Sequence, residues 1–275
     1  MAFWGLAWTN AKILGQYTSP QILILIRFLI ASVSFFPVLL LSKEKIILNR
    51  NSYFLISVNA LLITLYNYFY FIGTLYGEAG LGGVIVTTLN PVFTTIISIY
   101  FFKSLINMKT KLGLLLGFIS GIVTLNILFI DIQTILANGN IYFILSAFVW
   151  AIVTIFTSKY INNINFYSYT FWSFFIAFVI CMPLTLSSSV LQYKPLDLVF
   201  WVNMLAVSLG AMTFGTSIYF YSSKVLGAQK ASAYTFIVPL FSIVFAFAIL
   251  NETMAHSTLL GGAMSMVSIY LINKK

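Results

Sequence analysis

Two positively charged side chains lie inside apolar stretches of this chain. Lys12 follows FWGLAWTNA, and Arg27 lies within LILIRFLIAS. A charge at the centre of a membrane helix costs at least about 2.5–3.5 kcal/mol, so each is a candidate functional residue. The planar guanidinium of Arg27 suits a substrate carboxylate or phosphate, or it pairs with Glu78 or Glu252 to lock one end of the protein. Lys12 either shares the binding role or extends its ammonium group to the membrane surface.

Two prolines interrupt apolar runs, in TTLNPVFTTI at Pro91 and in YTFIVPLFSI at Pro239. A proline inside a helix removes one N–H donor and displaces the carbonyl four residues earlier, here that of Thr87 or Thr235. Backbone polar groups at membrane depth need protein partners or a water-filled cavity. We therefore predict that both helices bend here and line a cavity, together with Asn90. In the alternative, the threonine hydroxyls and neighbouring helices satisfy these groups, and the bends are only structural.

Asn67 and Tyr70 lie deep in the stretch LYNYFYFIGTLYG. Tyrosines usually mark the membrane interface, but polar groups this far from the ends of a run need partners, which predicts that both residues line the cavity. The sequence contains no catalytic triad, phosphate-binding loop or metal-ligand cluster, and its single cysteine, Cys181, cannot form an intramolecular disulfide. We therefore predict no catalytic residue, no metal site and no cofactor.

The composition requires a lipid environment. The 275 residues are 61% hydrophobic and 7% charged, whereas a soluble globular domain carries about a quarter charged residues. The formal net charge of +9 is scattered over loops rather than gathered in one groove, which argues against nucleic-acid binding. We therefore predict an all-α integral membrane protein that contacts the lipid bilayer.

Ten apolar runs could each cross a bilayer, for which a helix needs about 20 mostly apolar residues. They lie near residues 2–17, 20–41, 53–76, 79–102, 111–130, 140–160, 166–186, 198–223, 229–250 and 257–273. A cytoplasmic N-terminus puts eleven of the fourteen basic residues in inner loops or at the C-terminus: Lys43, Lys45, Arg50, Lys103, Lys109, Lys111, Lys159, Lys224, Lys230, Lys274 and Lys275. The positive-inside rule thus predicts both termini in the cytoplasm. The membrane that we expect is a bacterial plasma (inner) membrane.

The chain contains an internal repeat. A shift of 148 residues aligns four identical pairs: Pro91 with Pro239, Thr87 with Thr235, Phe93 with Phe241 and Gly113 with Gly261. We predict two five-helix repeats, at residues 1–131 and 139–275. Because five is odd, the second repeat enters the membrane from the opposite side, which makes the repeats inverted. This architecture is common in secondary transporters, whose substrate site lies between the halves, and it predicts alternating access.

The stretch GLLLGFISG places Gly113, Gly117 and Gly121 on one face of a helix. Small residues at this spacing let two helices approach closely. The predicted partner is either another helix of the same chain or a second copy in a homodimer.

Four features carry a resemblance to a known family: FWGLAWTNAK in the first run, LIRFLIAS in the second, a proline in the fourth and ninth, and ILNET…LLGGAMSMVSIYLI at the end. They resemble the EamA-type carriers of the drug/metabolite transporter superfamily. The resemblance implies a ten-helix, two-repeat carrier, often an exporter of amino acids or other small metabolites, with recurrent basic positions at Lys12 and Arg27. The chain departs from the family pattern at the end of the fourth run, where Ser104 replaces the usual acid that the second half keeps as Glu252.

We therefore expect a carrier that exports a small polar metabolite, with an amino acid or related zwitterion favoured. The predicted substrate-binding residues are Lys12, Arg27, Asn67, Tyr70, Thr87, Asn90 and Thr235, and the predicted gating residues are Pro91 and Pro239. A non-transporting membrane scaffold is the main alternative, but it needs neither paired helix breaks nor buried cations. A membrane-embedded enzyme would need an intramembrane cluster of acids, histidines or nucleophiles, which the sequence lacks.

Overall fold

A computed structural model describes residues 1–44, 46–103, 107–124, 139–186, 194–252 and 257–273. Within these ranges every regular element is helical. The helices are α1 (Ala2–Leu14), α2 (Pro20–Leu41), α3 (Arg50–Tyr76), α4 (Ala79–Phe102), α5 (Met108–Thr124), α6 (Asn140–Tyr160), α7 (Phe166–Leu186), α8 (Leu198–Leu226), α9 (Ala228–Leu250) and α10 (Ser257–Asn273). The predicted repeat boundary at residue 131 and the last six residues of the predicted 111–130 run lie outside the described residues.

Seven of the helices in the described residues, α2, α3, α4, α6, α7, α8 and α9, are long and apolar enough to cross a membrane. The other three are shorter, with 13 residues in α1 and 17 each in α5 and α10. Helix α1 ends at Leu14, earlier than predicted, because Gly15 to Tyr17 form a turn before Pro20 starts α2. The all-helical prediction is therefore confirmed for the described residues.

Helices α8 and α9 each change hydrogen-bond pattern near their middle. Residues Ala206–Thr216 of α8 form a π-helix, in which the hydroxyls of Thr213 and Thr216 donate to carbonyls five residues earlier, at 3.1 and 3.2 Å. In α9, a 3-10 segment spans Tyr234–Ile237, directly before Pro239. Helix α4 continues as α-helix through Pro91. Non-α turns of this kind often lie at functional sites.

The main helix contacts join the two halves of the chain rather than helices of one half. Helix α1 packs on α8 and α9, and in matching fashion α6 packs on α3 and α4. In the pairs α2–α7, α4–α9 and α5–α10, a helix of the first half packs on the helix at the same position in the second half. Exchanging the halves thus reproduces the same set of helix pairs.

The glycine stripe of α5 is used inside the chain. A Cβ on Gly113 would lie 3.1 Å from the Ser268 carbonyl oxygen, and one on Gly261 would lie 2.7 Å from the Ser120 carbonyl oxygen, so the backbones of α5 and α10 approach closely. A Cβ on Gly117 or Gly121 would instead lie 2.4 Å from a side chain of another helix, Phe236 of α9 or Thr88 of α4. The hydroxyls of Ser120 and Ser265 also meet at 2.9 Å. The sequence left two partners open for this stripe, another helix of the same chain or a second copy of the protein. The structure shows that helices of the same chain pack against it.

Candidate functional site

A cavity lies where the two halves meet, and we call it the central cavity. It is lined by residues of α1, α2, α3, α4, α6, α8 and α9. Five of the predicted binding residues are among them: Arg27, Tyr70, Thr87, Asn90 and Thr235. Its volume is only about 30 Å³, room for about two water molecules. The cavity is therefore closed around its polar groups in this conformation.

Arg27 contributes the only cationic side chain among the described residues that line this cavity. Its side chain is 5% exposed, and its Nη1 donates a 2.7 Å hydrogen bond to Asn67 Oδ1. Among the described residues its Nε has no hydrogen-bond partner. The guanidinium carbon also lies 5.3 Å from the ring centre of Tyr70, within cation–π range. Donors on a buried guanidinium that lack partners favour an anionic ligand.

The expected lock between Arg27 and an acid is absent from the described structure. Glu78 is exposed. The carboxylate of Glu252 instead accepts hydrogen bonds from the backbone N–H groups of Ala79 and Gly80, at 3.1 and 3.0 Å. These N–H groups begin α4 and have no intrahelical partner, so Glu252 caps that helix from across the two halves.

Asn67 and Lys12 lie outside the cavity lining. The Asn67 amide is fully buried, and its Nδ2 donates to the Ile63 carbonyl at 2.7 Å while its Oδ1 accepts from Arg27. Asn67 therefore orients Arg27. The Lys12 ammonium donates to the Gly77 carbonyl at 2.7 Å, where it satisfies a carbonyl at the C-terminal end of α3.

Five aromatic residues line the central cavity: Trp4, Trp8, Tyr66, Tyr70 and Trp150. Trp8 packs edge-on against Tyr70 with ring centres 4.6 Å apart, and Trp150 lies 4.5 Å from Tyr66 and 5.4 Å from Trp4. The Trp4 indole N–H donates to the Ala211 carbonyl in the π-helix at 2.9 Å, and the Tyr70 hydroxyl donates to the Ala7 carbonyl. Sequence reasoning did not assign these tryptophans to the site, although Trp4 and Trp150 align under a shift of 146 residues.

The two proline-associated threonines meet at the cavity. The Thr235 hydroxyl donates to the Thr87 carbonyl at 2.9 Å, which is the carbonyl that Pro91 leaves without its helical partner. The Thr87 hydroxyl donates back to the Gly83 carbonyl at 2.5 Å. The Thr235 hydroxyl thus satisfies the displaced Thr87 carbonyl from across the two halves. Both threonines also line the central cavity.

Three polar contacts close one end of the bundle, which we call the closed end. Glu252 binds the start of α4 there, Lys12 binds Gly77, and the Tyr17 hydroxyl donates to Asp197 at 3.0 Å. Burial and, after it, the bond to Asp197 raise the pKa of the Tyr17 phenol above 10.0. The N–H of Phe200 is the main cause that lowers the pKa of Asp197 below 3.8.

No group of three His, Cys, Asp or Glu side chains gathers as a metal site in the described ranges. The polar groups that line the central cavity are a guanidinium, hydroxyls, one amide and aromatic N–H and O–H groups. This set offers hydrogen-bond donors and one positive charge, the kind of groups that fix the orientation of a small polar ligand in a pocket.

Comparison with known proteins agrees with this architecture. The profile of the EamA-like transporter family matches residues 1–126 and 137–274. A WAT1-related, chloroplastic protein of Arabidopsis thaliana is 28% identical, over 98% of this chain and 67% of its own length. The uncharacterized transporter YvbV of Bacillus subtilis is 29% identical, over 99% and 88%. A solved crystal structure that is 12% identical matches 98% of this chain and 96% of its own with a TM-score of 0.73, which shows the fold alone.

The family match covers both halves of the chain and confirms the resemblance found in the short sequence motifs. With the apolar helices it identifies an integral membrane protein and a membrane transporter. The chain belongs to the EamA-like transporter family.

Proposed function

We propose that this protein is a secondary transporter that exports a small carboxylate-bearing metabolite, with an amino acid or related zwitterion favoured, by alternating access. The observation that carries the proposal is Arg27, a buried cation in a cavity between two matching halves, whose Nε has no hydrogen-bond partner in the described part of the chain. A guanidinium binds a carboxylate with two parallel hydrogen bonds. The tryptophan and tyrosine rings around it suit the apolar or aromatic body of an amino acid.

The small size of the central cavity supports a mechanism in which helices move apart to admit the substrate. About 30 Å³ is far below the volume of about 300 Å³ or more that small-molecule pockets usually offer. Substrate entry therefore requires helices to separate at the seam between the halves. The π-helix of α8 and the 3-10 segment of α9 both border the seam, and their weaker hydrogen-bond geometry makes them suitable points of bending.

The proposal includes ten membrane crossings in two inverted repeats, residues 1–131 and 139–275, with both termini in the cytoplasm of a bacterial plasma membrane. The matching helix pairs of the two halves and the aligned prolines support the repeat. The family and the transporter-named relatives favour transport over enzymatic chemistry. Because Gly113, Gly117 and Gly121 pack against α10, α9 and α4 of the same chain, a homodimer would need another surface.

Transport by purified protein in proteoliposomes tests the proposal. Uptake of a radiolabelled panel of amino acids and related zwitterions should be saturable, and Arg27→Ala should reduce it by at least about tenfold, because a charge-assisted hydrogen bond contributes about 1.5–3 kcal/mol. Arg50→Ala is the matched control, because Arg50 is exposed at the start of α3. Loss of uptake in both variants, or full uptake in Arg27→Ala, would contradict the role of Arg27.

The same assay separates a transporter from a scaffold. A scaffold would show no saturable flux of any solute in the panel, with the wild-type protein correctly inserted. Counterflow from preloaded vesicles would show whether substrate exchanges across the bilayer, which an alternating-access carrier does and a channel-like leak does not.

A further inference from the structure

The two repeat-related tryptophans of the central cavity differ in what their N–H groups bond. Trp4 and Trp150 align under the 146-residue shift, and both line the cavity. The Trp4 N–H donates to the Ala211 carbonyl at 2.9 Å. The Trp150 side chain is only 4% exposed, yet its N–H has no hydrogen-bond partner in the described part of the chain. The cavity lining thus contains one indole donor that the described residues satisfy and one that they do not.

A difference between α3 and α8 explains why the two tryptophans differ. Under the 148-residue shift, Ile63 of α3 corresponds to Ala211, whose carbonyl Trp4 uses. Asn67 corresponds to Gly215, where a Cβ would lie 2.7 Å from the Trp4 indole nitrogen. The Asn67 side chain therefore stands where the other half leaves room for the indole, and its amide donates to the Ile63 carbonyl at 2.7 Å. The acceptor that corresponds to that of Trp4 is already in use.

Arg27 belongs to the same departure from symmetry. Under the 146-residue shift it corresponds to Ser173, so the second half has no cation at this position. The Asn67 amide holds Arg27 through Oδ1 and the Ile63 carbonyl through Nδ2. Two differences between the halves, at Arg27 and Asn67, thus leave two donors on cavity-lining side chains without described partners, the Arg27 Nε and the Trp150 N–H.

The Tyr219 hydroxyl lies near the Trp150 N–H, but the two groups are not aligned as a hydrogen bond. The Tyr219 ring packs on Trp150 with ring centres 5.6 Å apart. Its hydroxyl is instead 2.9 Å from the Thr154 hydroxyl. A ligand oxygen that accepts from Trp150 therefore does not have to displace a described protein acceptor.

Two tyrosines separate the two donors. The Arg27 guanidinium carbon lies 5.3 Å from the ring centre of Tyr70. Tyr70 stacks on Tyr66 with ring centres 6.0 Å apart, and Tyr66 lies 4.5 Å from Trp150. A ligand that reaches both donors spans this tyrosine pair and carries two acceptor groups. The described lining has one cation, which balances one carboxylate, so the second acceptor is neutral.

We propose that Trp150 determines the specificity of the central cavity, its indole N–H binding a neutral oxygen of the substrate while Arg27 binds the substrate carboxylate. The substrate class is a small monocarboxylate, such as an amino acid, that also bears a hydroxyl, carbonyl or amide oxygen. Because Arg27 lies in the first half and Trp150 in the second, this substrate bridges the halves. The inference deepens the proposed transport function and rests on it.

Pairs of compounds that exchange a hydroxyl for a methyl group test this role. L-Threonine and L-valine are one pair, and 3-hydroxybutyrate and 3-methylbutyrate are a second pair without an ammonium group. In proteoliposomes, we expect kcat/KM for at least one hydroxyl compound to exceed that of its methyl partner by about tenfold, because a buried donor is left unpaired by an analogue that lacks the acceptor. Equal values within both pairs for the wild-type protein would overturn the inference without any variant.

The change Trp150→Phe keeps an aromatic ring and removes the donor. We expect it to bring the ratio within the preferred pair close to one by lowering kcat/KM for the hydroxyl compound, with the methyl compound transported much as before. Trp201→Phe is the matched control and should keep the preference, because Trp201 is 41% exposed and is not among the cavity-lining residues. A preference that survives Trp150→Phe would refute the role of Trp150.

Nitrogen-15 NMR of the indole groups tests the contact without assuming transport. In wild-type protein with ¹⁵N-labelled tryptophan in lipid nanodiscs, the Trp150 N–H proton should move downfield with the hydroxyl compound and not with its methyl partner, because it gains an acceptor. Trp150→Phe assigns the resonance, or Trp150→Tyr if the first variant does not insert. The Trp201 resonance should stay in place. No downfield shift with either L-threonine or 3-hydroxybutyrate would overturn the inference.

Failure of this inference and failure of the transport proposal give different results. A Trp150 shift without saturable flux of any compound would leave the contact standing and refute transport. Saturable flux that depends on Arg27, with no preference within either pair, would leave transport standing and refute the role of Trp150.

Discussion

At the scale of single residues, the central finding is the environment of Arg27. Burying its charge costs free energy that a lipid or aromatic setting does not offset by itself. The one hydrogen bond that its guanidinium donates to the described residues goes to the neutral Asn67 amide oxygen. A neutral partner orients the guanidinium without cancelling its charge. The charge therefore stays available to a ligand in the cavity.

Replacing the residue that orients Arg27 should weaken substrate binding. In Asn67→Leu the guanidinium loses its 2.7 Å hydrogen bond, and we expect the KM for uptake to rise about tenfold or more while the amount of inserted protein is unchanged. Asn203→Leu is the control, because Asn203 is only half-buried and its amide donates to the Val199 carbonyl of its own helix. An unchanged KM in Asn67→Leu would show that Arg27 needs no such positioning.

The Tyr17–Asp197 contact at the closed end should depend on pH in a defined window. The pKa of Tyr17 is raised, so its contribution to stability is present below about pH 10 and is lost as pH rises through the raised pKa. The pKa of Asp197 is lowered, so its contribution is present above about pH 4 and is lost as pH falls through the lowered pKa. The contact should therefore hold between these limits.

Thermal unfolding of wild type and Tyr17→Phe would measure this dependence. The wild type should have the higher Tm by a constant amount between about pH 5 and 9, and this difference should shrink as pH rises above about 10. Tyr76→Phe serves as control, because Tyr76 is 62% exposed. A difference in Tm that does not change at alkaline pH would contradict the assignment.

At the scale of elements, the two proline helices differ in how they accommodate the same residue. Helix α4 keeps its α-helical pattern through Pro91, and the displaced Thr87 carbonyl accepts a hydrogen bond from Thr235. Helix α9 instead tightens to a 3-10 segment before Pro239. The hydrogen bond from the Thr235 hydroxyl to the Thr87 carbonyl joins α9 to α4 close to their prolines. A movement of one helix therefore changes its contact with the other.

The prolines should matter for transport rate more than for insertion. Pro239→Ala restores an N–H that can bond the Thr235 carbonyl and favours regular α-helix over the 3-10 segment. We expect Pro91→Ala and Pro239→Ala each to slow uptake severalfold, with normal insertion. Pro20→Ala, at the first turn of α2 where proline is tolerated, should have no effect, and full uptake in the Pro91→Ala, Pro239→Ala double variant would remove the mechanical role.

At the scale of the whole molecule, the two ends of the bundle differ although the halves match. Three polar contacts between different parts of the chain lie at the closed end, at Glu252, Lys12 and Tyr17, whereas the opposite end contains a pocket of about 410 Å³ whose lining includes Ser98 and Lys230. An alternating-access carrier requires such a difference in every state other than a fully occluded one. The asymmetry arises from a few side chains on a repeated backbone.

Accessibility labelling would test the inverted arrangement of the halves. Arg50 and Leu198 begin α3 and α8, align under the 148-residue shift, and are both exposed. In a Cys181→Ser background, Arg50→Cys should react with an impermeant thiol reagent only from the cytoplasmic side, and Leu198→Cys only from the outer side. Labelling of both cysteines from one side would contradict inverted repeats.

The sequence by itself determined the class of the protein and much of its helix content. Its 61% hydrophobic composition excludes a water-soluble surface, and a backbone in lipid must satisfy its hydrogen bonds within each helix. The runs of apolar residues therefore locate the helices closely, apart from ends such as Leu14 that depend on local turns. The internal repeat could also be found in the sequence, because prolines that align under a fixed shift can be recognised without a structure.

Only the tertiary structure decided which polar residues act together. Lys12 and Arg27 look alike in sequence, but one bonds to the carbonyl of Gly77 and the other lines the central cavity. The tryptophans at positions 4, 8 and 150 joined the site only because α1 and α6 cross between the halves. These outcomes depend on contacts between residues 40 or more positions apart, and no local pattern of residue types specifies which helix face will meet which partner.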